Sequence, residues 1–496
     1  MPGIRESMAR SVFAQMKKWT WHHLFVFLLT FLAYASFHAC RKSFSNIKDN
    51  LAENFTPNDH IKYPHDTWQK ETTFANKPDA DVFLGELDSL FLFAYAFGLF
   101  FNGVLGDRLN LRYFLAFGMC GSAVVTFTFG YLGEAFHIRK PIFYQLLQFL
   151  NGLLQSIGWP ATVSIMGNWF SKSSSGFVFG IWSANASVGN IIGSVVLAQV
   201  LNYGFEYGMM LNSLLLFCCG FIVLICLVVH PTELGLENPD IQERIETMDK
   251  DEQEEVILAS DKVSIQQPKP ISFIDAVLIP GVIPYSLAYA CLKLVNYSFF
   301  FWLPTYLSQG LGIKDNQSVE LSNFYDVGGI CGGIVAGIIS DFVGVRSPVV
   351  GTMLLVSVAT ILGFNYIPNH HGVIMAMLFL NGFMIGGPAN TISTAITADL
   401  GKHEKIMGNS EALSTVTGII DGTGSVGAAI GQYLVAVINK KAGWQYVFYF
   451  LIGMTALSLV CIIPMLTNEI KYLFNKRPNP SRGYSPLLHE DKDVQS

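Results

Sequence analysis

The chain has 496 residues, of which 51% are hydrophobic and only 14% are charged, against about 25% charged in ordinary soluble domains. A mean hydropathy of +0.40 over that length indicates a protein that lies largely in lipid. The composition is not that of a soluble enzyme. The net charge of −6 comes without a basic patch of the kind that binds nucleic acid.

Twelve apolar segments are long enough to cross a bilayer, whose hydrocarbon core of about 30 Å takes roughly 20 helical residues. Spans 1 to 6 are predicted at 21 to 40, 82 to 105, 113 to 132, 141 to 166, 177 to 201 and 208 to 229. Spans 7 to 12 are predicted at 280 to 307, 321 to 340, 347 to 367, 372 to 396, 412 to 438 and 445 to 466. The sequence therefore predicts an all-α membrane protein.

A polar stretch divides the twelve spans into two sets of six. It carries ten acids between Glu233 and Glu255, which predicts a solvated acidic linker at 230 to 279. We expect an N-terminal half at 21 to 229, with a polar loop at about 46 to 81, and a C-terminal half at 280 to 466. Residues 1 to 20 and 467 to 496 are expected to form terminal tails.

The basic residues near the span ends predict the orientation of the chain, because cytosolic flanks are rich in lysine and arginine. They precede span 1 and follow spans 2 and 12: Arg5, Arg10, Lys17, Lys18, Arg108, Arg112, Lys471, Lys476, Arg477 and Arg482. Both termini are therefore expected in the cytosol. Asn54 and Asn316 begin Asn-x-Ser/Thr sequons in loops on the opposite side, where glycosylation takes place.

A short motif occurs twice. Gly103, Asp107, Arg108 and Arg112 follow span 2, and Gly337, Asp341 and Arg346 follow span 8. The offsets agree, because 337 − 103 and 341 − 107 both equal 234, close to half the chain. Such duplication is typical of two-half transporters. The glycines allow close helix approach, and the aspartates and arginines are predicted to pair in one conformation and separate in another, so they are candidate gate residues. The alternative is that they only anchor helix ends.

Few charged residues fall in the predicted spans, and each needs a reason, because a central charge costs at least about 3 kcal/mol on insertion scales. Arg41 and Lys42 follow the apolar run of span 1, and Lys293 lies within span 7. Because the repeat makes spans 1 and 7 equivalent, their cations are predicted to face one central anion site. Asp326 and Asp421, in spans 8 and 11, are the candidate charge partners.

These cations are also compatible with structural roles. Arg41 and Lys42 stand where interfacial anchors extend to the lipid headgroups, and Lys293 could form a structural ion pair with Asp326 or Asp421. Arginine suits a phosphoryl group because its planar fork binds two oxygens and stays charged, while lysine adds a point charge. His38 lies one turn before Arg41 and is predicted to be a structural group more readily than a proton carrier.

Several segments resemble the organophosphate:phosphate antiporter family of the major facilitator superfamily, in its eukaryotic sugar phosphate exchanger branch. They are Tyr34-Ala-Ser-Phe-His38-Ala-Cys-Arg41-Lys42, Gly158-Trp159-Pro160, Gly167-Asn-Trp-Phe170, Lys293-Leu-Val-Asn296-Tyr297, Trp302-Leu-Pro304, Phe324-Tyr-Asp326 and Thr417-Gly-Ile-Ile-Asp421. The resemblance covers nearly all twelve spans. It implies the major facilitator fold, with two pseudo-symmetric six-helix halves.

The resemblance also implies a function: exchange of a phosphorylated sugar or glycerol for inorganic phosphate by alternating access. A basic residue on span 1 and another on span 7 grip the phosphate in this family. Arg41 matches the first, and Tyr34 and Tyr95 match family tyrosines. The family's span 7 basic position is Asn296 here, with Lys293 one turn earlier. The histidine and lysine that bacterial relatives carry on spans 5 and 2 are Ala186 and Leu99.

Two more functions are compatible with the sequence: a proton-coupled organic anion transporter in which Asp326 or Asp421 titrates, and a membrane sensor that binds a phosphorylated ligand without transport. No nucleophile, metal cluster or nucleotide loop favours an enzyme, and no cofactor is expected. The lipid bilayer is the expected environment, and the sequence leaves open whether an accessory membrane subunit is present. The compartment is predicted to be the endoplasmic reticulum or the lysosome, the latter on a Tyr484-x-x-Leu487 sorting pattern.

Overall fold

The structure is a computed structural model that describes residues 19–56, 73–106, 108–170, 175–236, 272–367, 370–401 and 413–475, and in these residues it contains helices and no strand. Spans 1 to 6 are Trp21–Phe55, Lys77–Gly106, Leu111–Phe127 continued to Gly133–Ala135, Pro141–Gln155 with Gly158–Trp169, Ser175–Trp182 with Asn185–Val200, and Phe205–Cys226. Spans 7 to 12 are Val282–Thr305 continued by Tyr306–Gly310, Asp315–Val343, Ser347–Phe364, His371–Thr391 continued to Thr397–Gly401, Leu413–Ala442 and Trp444–Asn475. The short helices Pro231–Leu234 and Phe273–Val277 lie on either side of residues 237–271.

Each of the twelve predicted segments coincides with helix. In the described part of the chain, nine helices are long and apolar enough to cross a membrane, and spans 4, 7 and 11 are not among the nine. Span 4 is divided into helices of 15 and 12 residues. Spans 7 and 11 contain the charged and small polar residues that lower their hydropathy, among them Lys293 and Asp421. The least apolar spans therefore carry two of the charges predicted to be functional.

Span 1 is the main departure from the predicted boundaries. Its helix continues to Phe55, whereas the apolar run ends at about residue 40. The predicted loop at 46 to 81 is correspondingly too long, because its first ten residues are helical and span 2 already begins at Lys77. Hydropathy ended the span too early because the residues after Arg41 are polar, although most of them are buried against other helices. Arg41 and Lys42 therefore lie in the middle of a helix.

Glycines allow equivalent helices to pack in equivalent ways in the two halves. A Cβ on Gly152 of span 4 would lie 2.3 Å from the carbonyl oxygen of Phe91 in span 2, and one on Gly382 of span 10 would lie 1.9 Å from that of Tyr325 in span 8. Both distances are too short for any side chain, so the backbones are in direct contact. Span 4 therefore packs on span 2 as span 10 packs on span 8, which is the pseudo-symmetry predicted from the repeat.

The halves meet along spans 2 and 11, along spans 5 and 8, and between spans 1 and 7 at the centre. We call the side on which span 1 begins the terminus side and the opposite side the far side. On the terminus side, a Cβ on Gly418 of span 11 would lie 2.8 Å from the carbonyl oxygen of Leu99 in span 2. On the far side, a Cβ on Gly85 of span 2 would lie 2.8 Å from the Cβ of Ala436 in span 11. The halves are therefore in contact on both sides of the centre.

Candidate substrate site and gates

Arg41 lies at the centre of the molecule, between the two halves. Its side chain is 3% exposed, so it does not extend to the headgroups and the interfacial anchor is wrong for this residue. Nε donates to Oε1 of Gln155 in span 4 at 3.0 Å, and Nη1 donates to the hydroxyl of Tyr297 in span 7 at 2.8 Å. The guanidinium carbon lies 4.8 Å from the ring centroid of Tyr95. These contacts fix the plane of the guanidinium.

One edge of this guanidinium is free. Among the described residues, the buried Nη2 of Arg41 has no hydrogen-bond acceptor, and the buried hydroxyl of Tyr95, whose ring contacts the guanidinium, has no hydrogen-bond partner. No carboxylate oxygen of the described residues lies within 4.0 Å of the guanidinium. Buried donors of this kind normally have partners, and an unsatisfied buried group carries a desolvation penalty of about 1–3 kcal/mol. The arrangement is suited to an anion that supplies the missing acceptor.

Lys293, by contrast, is neutralised. Its ammonium, 2% exposed, lies 2.6 Å from Oδ1 of Asp421 and 2.8 Å from Oγ of Ser425, both on span 11. Asp421 is thus the charge partner, and Asp326 is not. The ring centroids of Tyr95 and Tyr297 lie 5.4 Å and 5.1 Å from the ammonium. Since Arg41 also contacts these two tyrosines, the two cations face one aromatic-walled centre, as predicted from the equivalence of spans 1 and 7.

Lys42 does not contact the centre shared by Arg41 and Lys293. Its ammonium, 1% exposed, donates to the backbone carbonyl of Phe300 in span 7 at 2.8 Å. No carboxylate of the described residues lies within 4.0 Å of it. The lysine neither extends to the headgroups nor shares the partners of Arg41. The interfacial anchor is therefore wrong for Lys42 as well.

A buried hydrogen-bonded chain crosses from span 1 to span 8. Nδ1 of His38 lies 3.0 Å from Oδ1 of Asn190 in span 5, and Nδ2 of Asn190 donates to Oδ1 of Asp326 at 2.6 Å. The hydrogen bond to Asn190 agrees with the structural role expected of His38. Asp326 has no lysine or arginine nitrogen of the described residues within 4.0 Å, so it is a buried carboxyl group without a direct ion pair.

The remaining residues of the family motifs have different contacts. Asn296 is half-buried and accepts a hydrogen bond from the hydroxyl of Tyr325 at 2.7 Å, so its side chain is engaged with span 8. The ring of Tyr34 lies 4.7 Å from Trp159 and 5.0 Å from His38. Tyr297 lies in one of the family segments but was not a candidate binding residue, and its hydroxyl accepts a hydrogen bond from Arg41.

The candidate gate residues differ between the halves. In the C-terminal half, Nε of Arg346 lies 2.6 Å from Oδ2 of Asp399, and Nη1 lies 3.4 Å from Oδ1 of Asp341. Oε2 of Glu469, on span 12, accepts from the backbone nitrogens of Arg346 and Ser347 at 2.9 Å and 2.8 Å. Spans 8, 9, 10 and 12 are thereby joined on the terminus side. The repeated motif identified Asp341 and Arg346, and no sequence pattern pointed to Asp399 or Glu469.

In the N-terminal half, the described residues form fewer equivalent contacts. Nη2 of Arg112 lies 2.9 Å from Oε2 of Glu233, the first acid of the linker. Arg108 is exposed, and Asp107 lies outside the described residues. Gly103 is buried in span 2, and a Cβ on Gly418 of span 11 would lie 3.5 Å from its Cα. This glycine therefore permits the close approach between halves for which the motif was singled out.

On the far side, polar contacts that the sequence analysis missed join the halves. Nε2 of Gln309 in span 7 donates to Oδ1 of Asp49 at 2.8 Å and to Oδ2 of Asp81 at 3.3 Å. Lys48 forms an ion pair with Asp88, and its ammonium lies 3.8 Å from the ring centroid of Trp302 in span 7. These acids and bases lie in the helical extension of span 1 and at the start of span 2. Hydropathy assigned most of them to a loop, which is why they were missed.

The two predicted glycosylation sites lie at helix ends on the far side. Asn54 is in the last turn of span 1, followed by the fully buried Phe55. Asn316 is in the first turn of span 8, and its Nδ2 lies 3.3 Å from Oδ1 of Asn202. Both acceptors are thus on the side expected from the sequence, although each is part of a helix.

The fold and the central site define a class of protein. The chain matches the profile of the Major Facilitator Superfamily over residues 26–331 and 321–489. With two six-helix halves around buried cations, it belongs to that superfamily, and it is a multi-pass membrane transporter, not an enzyme.

Three similar proteins narrow the family. Sugar phosphate exchanger 3 of Homo sapiens is 48% identical, over 93% of this chain and 96% of that protein. Sugar phosphate exchanger 3 of Xenopus laevis is 48% identical, over 94% of this chain and 96% of that protein. Glucose-6-phosphate exchanger SLC37A2 of Mus musculus is 36% identical, over 94% of this chain and 97% of that protein. The resemblance seen in the sequence motifs is confirmed: this chain is a member of the sugar phosphate exchanger family.

Proposed function

We propose that this protein exchanges small phosphorylated organic anions, of the sugar phosphate type, for inorganic phosphate by alternating access. The observation that carries the proposal is the free edge of Arg41. A buried guanidinium held in one plane by Gln155 and Tyr297 presents Nη2 without an acceptor. A phosphoryl oxygen fits that position, because charge-assisted bonds from a planar guanidinium favour phosphate.

The charges of the centre support an anionic ligand. Among the residues that the structure describes in the spans, four cations are buried: Arg41, Lys42, Lys48 and Lys293. Two cations are directly paired, Lys48 with Asp88 and Lys293 with Asp421. Arg41 has no carboxylate oxygen of the described residues within 4.0 Å, so its charge is not directly paired. A bound anion would balance it.

Lys293 provides a second contact in this proposal. Its ammonium contacts Tyr95 and Tyr297, the two tyrosines that also contact Arg41. A phosphate at Arg41 would compete with Asp421 for this ammonium. Exchange of one anionic partner for the other would loosen span 7 from span 11 while the ammonium of Lys293 keeps a counter-charge. Inorganic phosphate fits the same contacts, which is why it is the proposed counter-substrate.

We also propose a topology and a compartment. The basic flanks support a cytosolic location for both termini and the acidic linker, with the far side facing the lumen of the endoplasmic reticulum or lysosome. The division into halves at 21 to 229 and 280 to 466 belongs to this proposal, as do the gate and glycosylation assignments. Much of the linker lies outside the described residues.

A second candidate function is proton-coupled transport of an organic anion. It is supported by Asp326, a buried carboxyl group that accepts from Asn190 and has no ion pair in the described part of the chain. A buried carboxyl group of this kind is able to bind a proton instead of a cation. The two candidates differ in what drives uptake.

The test uses the purified protein in liposomes loaded with inorganic phosphate. Uptake of labelled phosphate and of labelled glucose 6-phosphate is measured with wild type, Arg41→Ala, Lys293→Ala and Lys471→Ala. Lys471 is exposed at the end of span 12, so its variant controls for loss of a cation outside the site. We expect uptake that requires internal phosphate, fails in the first two variants and persists in the third.

The same liposomes separate the alternatives. Uptake into phosphate-free vesicles that follows an imposed pH gradient, and is lost in Asp326→Asn, would favour proton coupling. Binding of glucose 6-phosphate that raises thermal stability without uptake under either condition would favour a sensor. Uptake that Arg41→Ala leaves intact would contradict the assignment of the site.

A further inference from the structure

Span 7 contains a proline inside its helix, and this proline changes the hydrogen bonding of the carbonyl four residues earlier. Pro304 has no N–H, so the helix cannot form the bond from residue 304 to the carbonyl of Phe300. In a membrane segment such a freed carbonyl needs a donor from elsewhere, because lipid supplies none. The Trp302-Leu-Pro304 motif therefore creates an acceptor at a defined point of span 7.

Two side chains of span 1 donate to this carbonyl. Nζ of Lys42 lies 2.8 Å from the oxygen of Phe300, and Oγ of Ser45 lies 2.7 Å from it. Oγ of Ser45 also lies 3.2 Å from the carbonyl oxygen of Phe301. The donors are three residues apart, so they share one face of span 1. Both are buried, and both belong to the other half of the molecule from the acceptor.

The contact lies between the central site and the far side. Along span 1 the order towards the far side is Arg41, Lys42, Ser45 and Asp49. Along span 7 it is Lys293, Phe300 and Gln309, and Gln309 donates to Asp49 at the far rim. The hydrogen bonds to Phe300 therefore stand one to two turns beyond the cations and before the rim.

We propose that Pro304, the carbonyl of Phe300, Lys42 and Ser45 form a latch that holds spans 1 and 7 together on the far side of the substrate site. The latch closes the site towards the far side, and it opens when the site becomes accessible from there. This inference rests on the proposed alternating-access function, but its test does not use transport.

The chemistry suits a contact that must break and reform. In an uninterrupted helix, the carbonyl of Phe300 would accept a hydrogen bond from the backbone N–H of residue 304. Here the partners are side chains of the opposite half, and when the spans separate, water in the opened cavity replaces each hydrogen bond. A lysine whose partner is a carbonyl, not a carboxylate, has less Coulombic attraction to overcome on separation.

Hydrogen exchange measured by mass spectrometry on the full chain in lipid nanodiscs tests the latch. In Pro304→Ala the new N–H bonds to the carbonyl of Phe300 and displaces Lys42 and Ser45. We expect faster exchange in far-side segments of spans 1 and 7, at 44 to 55 and 300 to 310, by about tenfold, the factor for one lost hydrogen bond to a charged group. Exchange on the terminus side, at 95 to 106 and 413 to 424, should stay equal or become slower. General destabilisation would instead speed exchange on both sides, so the terminus-side segments serve as an internal control.

The control is Pro464→Ala in span 12. This proline also lies inside a helix, and the carbonyl four residues earlier belongs to Val460, which is exposed to lipid and accepts no side-chain hydrogen bond among those of the described residues. We expect its far-side exchange to match wild type. A far-side increase in Pro464→Ala equal to that in Pro304→Ala would overturn the proposal.

A double-mutant cycle gives the sharper test, because only coupled residues show non-additive effects. Ser45→Ala should speed far-side exchange in the wild-type background and have no further effect in Pro304→Ala. Equal effects in both backgrounds, or unchanged exchange in Pro304→Ala, would refute the latch. If Pro304→Ala does not fold, Ser45→Ala and Lys42→Met must each open the far side for the proposal to stand. The variants could show faster far-side exchange although the wild-type protein shows no uptake in liposomes. That result would support the latch and contradict only the proposed transport function.

Discussion

Span 1 and span 7 occupy equivalent places in the two halves, yet their cations differ in their electrostatic surroundings. Among the described residues, Arg41 hydrogen-bonds to neutral partners, the amide of Gln155 and the hydroxyl of Tyr297, and its Nη2 has no acceptor. Lys293 is paired with Asp421 and hydrogen-bonded to Ser425. One half presents a cation that is ready for an anion, and the other holds a cation that must first leave a carboxylate.

The difference teaches how a duplicated fold can combine binding with movement. If both cations were free, the empty site would carry a larger uncompensated charge in lipid, which is costly. If both were paired, an anion would have to displace two carboxylates. With one unpaired and one paired cation, the anion binds first at Arg41, and Lys293 is then released from Asp421 on span 11. The following variants test this division of roles, from the largest expected effect to the smallest.

Arg41→Ala removes the unpaired cation, and with it the two N–H groups of Nη2 that would bind the anion. Each hydrogen bond from a charged group is worth about 1.5–3 kcal/mol, so phosphate exchange should fall at least about 100-fold. Arg41→Lys keeps the charge but not the planar fork, so an intermediate loss is expected. Initial exchange rates in liposomes measure both. Equal activity in Arg41→Lys and wild type would show that charge alone suffices.

Asp421→Ala leaves the ammonium of Lys293 buried without a counter-charge. We expect thermal unfolding in detergent, followed by tryptophan fluorescence, to show a loss of about 3–5 kcal/mol, as for other broken buried pairs. Added phosphate should recover more stability in this variant than in wild type, because the anion takes the vacated place. The control is Lys293→Met with Asp421→Leu, which should be near wild type in stability but inactive. Full stability in Asp421→Ala would contradict the pairing.

Tyr297→Phe removes the acceptor for Nη1 of Arg41 and leaves the ring in place. The guanidinium then loses one of the two bonds that fix its plane, so we expect KM for the phosphorylated substrate to rise about tenfold with a smaller change in kcat. Initial rates over a range of substrate concentrations separate the two parameters. Tyr306→Phe, on the same span but away from Arg41, is the matched control. An unchanged KM in Tyr297→Phe would show that Gln155 alone orients Arg41.

The candidate gate residues Arg346 and Arg112 allow a comparison of two smaller losses of stability, one in each half. Arg346→Gln breaks contacts with Asp399 and Asp341, and the arginine side chain is only 15% exposed. Arg112→Gln breaks one contact with Glu233, and that arginine is 26% exposed. We expect stability losses of about 1–3 kcal/mol for the first and about 0–1 kcal/mol for the second. Chemical denaturation in detergent compares them, and equal losses would argue against the asymmetry between the halves.

The sequence by itself determined the class of protein, the twelve spans and the duplication. The spans are visible because local physics fixes them: each must be a helix that satisfies its own backbone in lipid, and crossing a hydrocarbon core of about 30 Å takes about 20 apolar residues. The same rule pointed to Arg41, Lys42, Lys293, Asp326 and Asp421, although it passed over Asp88 within the predicted span 2. The glycine and aspartate repeat was visible because two copies of one motif stand at one offset.

Only the tertiary structure decided which of these charges meet. Asp326 and Asp421 were equal candidates for Lys293, and helix packing chose Asp421 because span 11, not span 8, brings its carboxylate to that ammonium. Lys42 and Arg41 are neighbours in sequence, but successive helical residues point about 100° apart, so one contacts the carbonyl of Phe300 and the other Tyr297. The polar end of span 1 was taken for a loop because hydropathy does not register polar side chains that are buried against other helices.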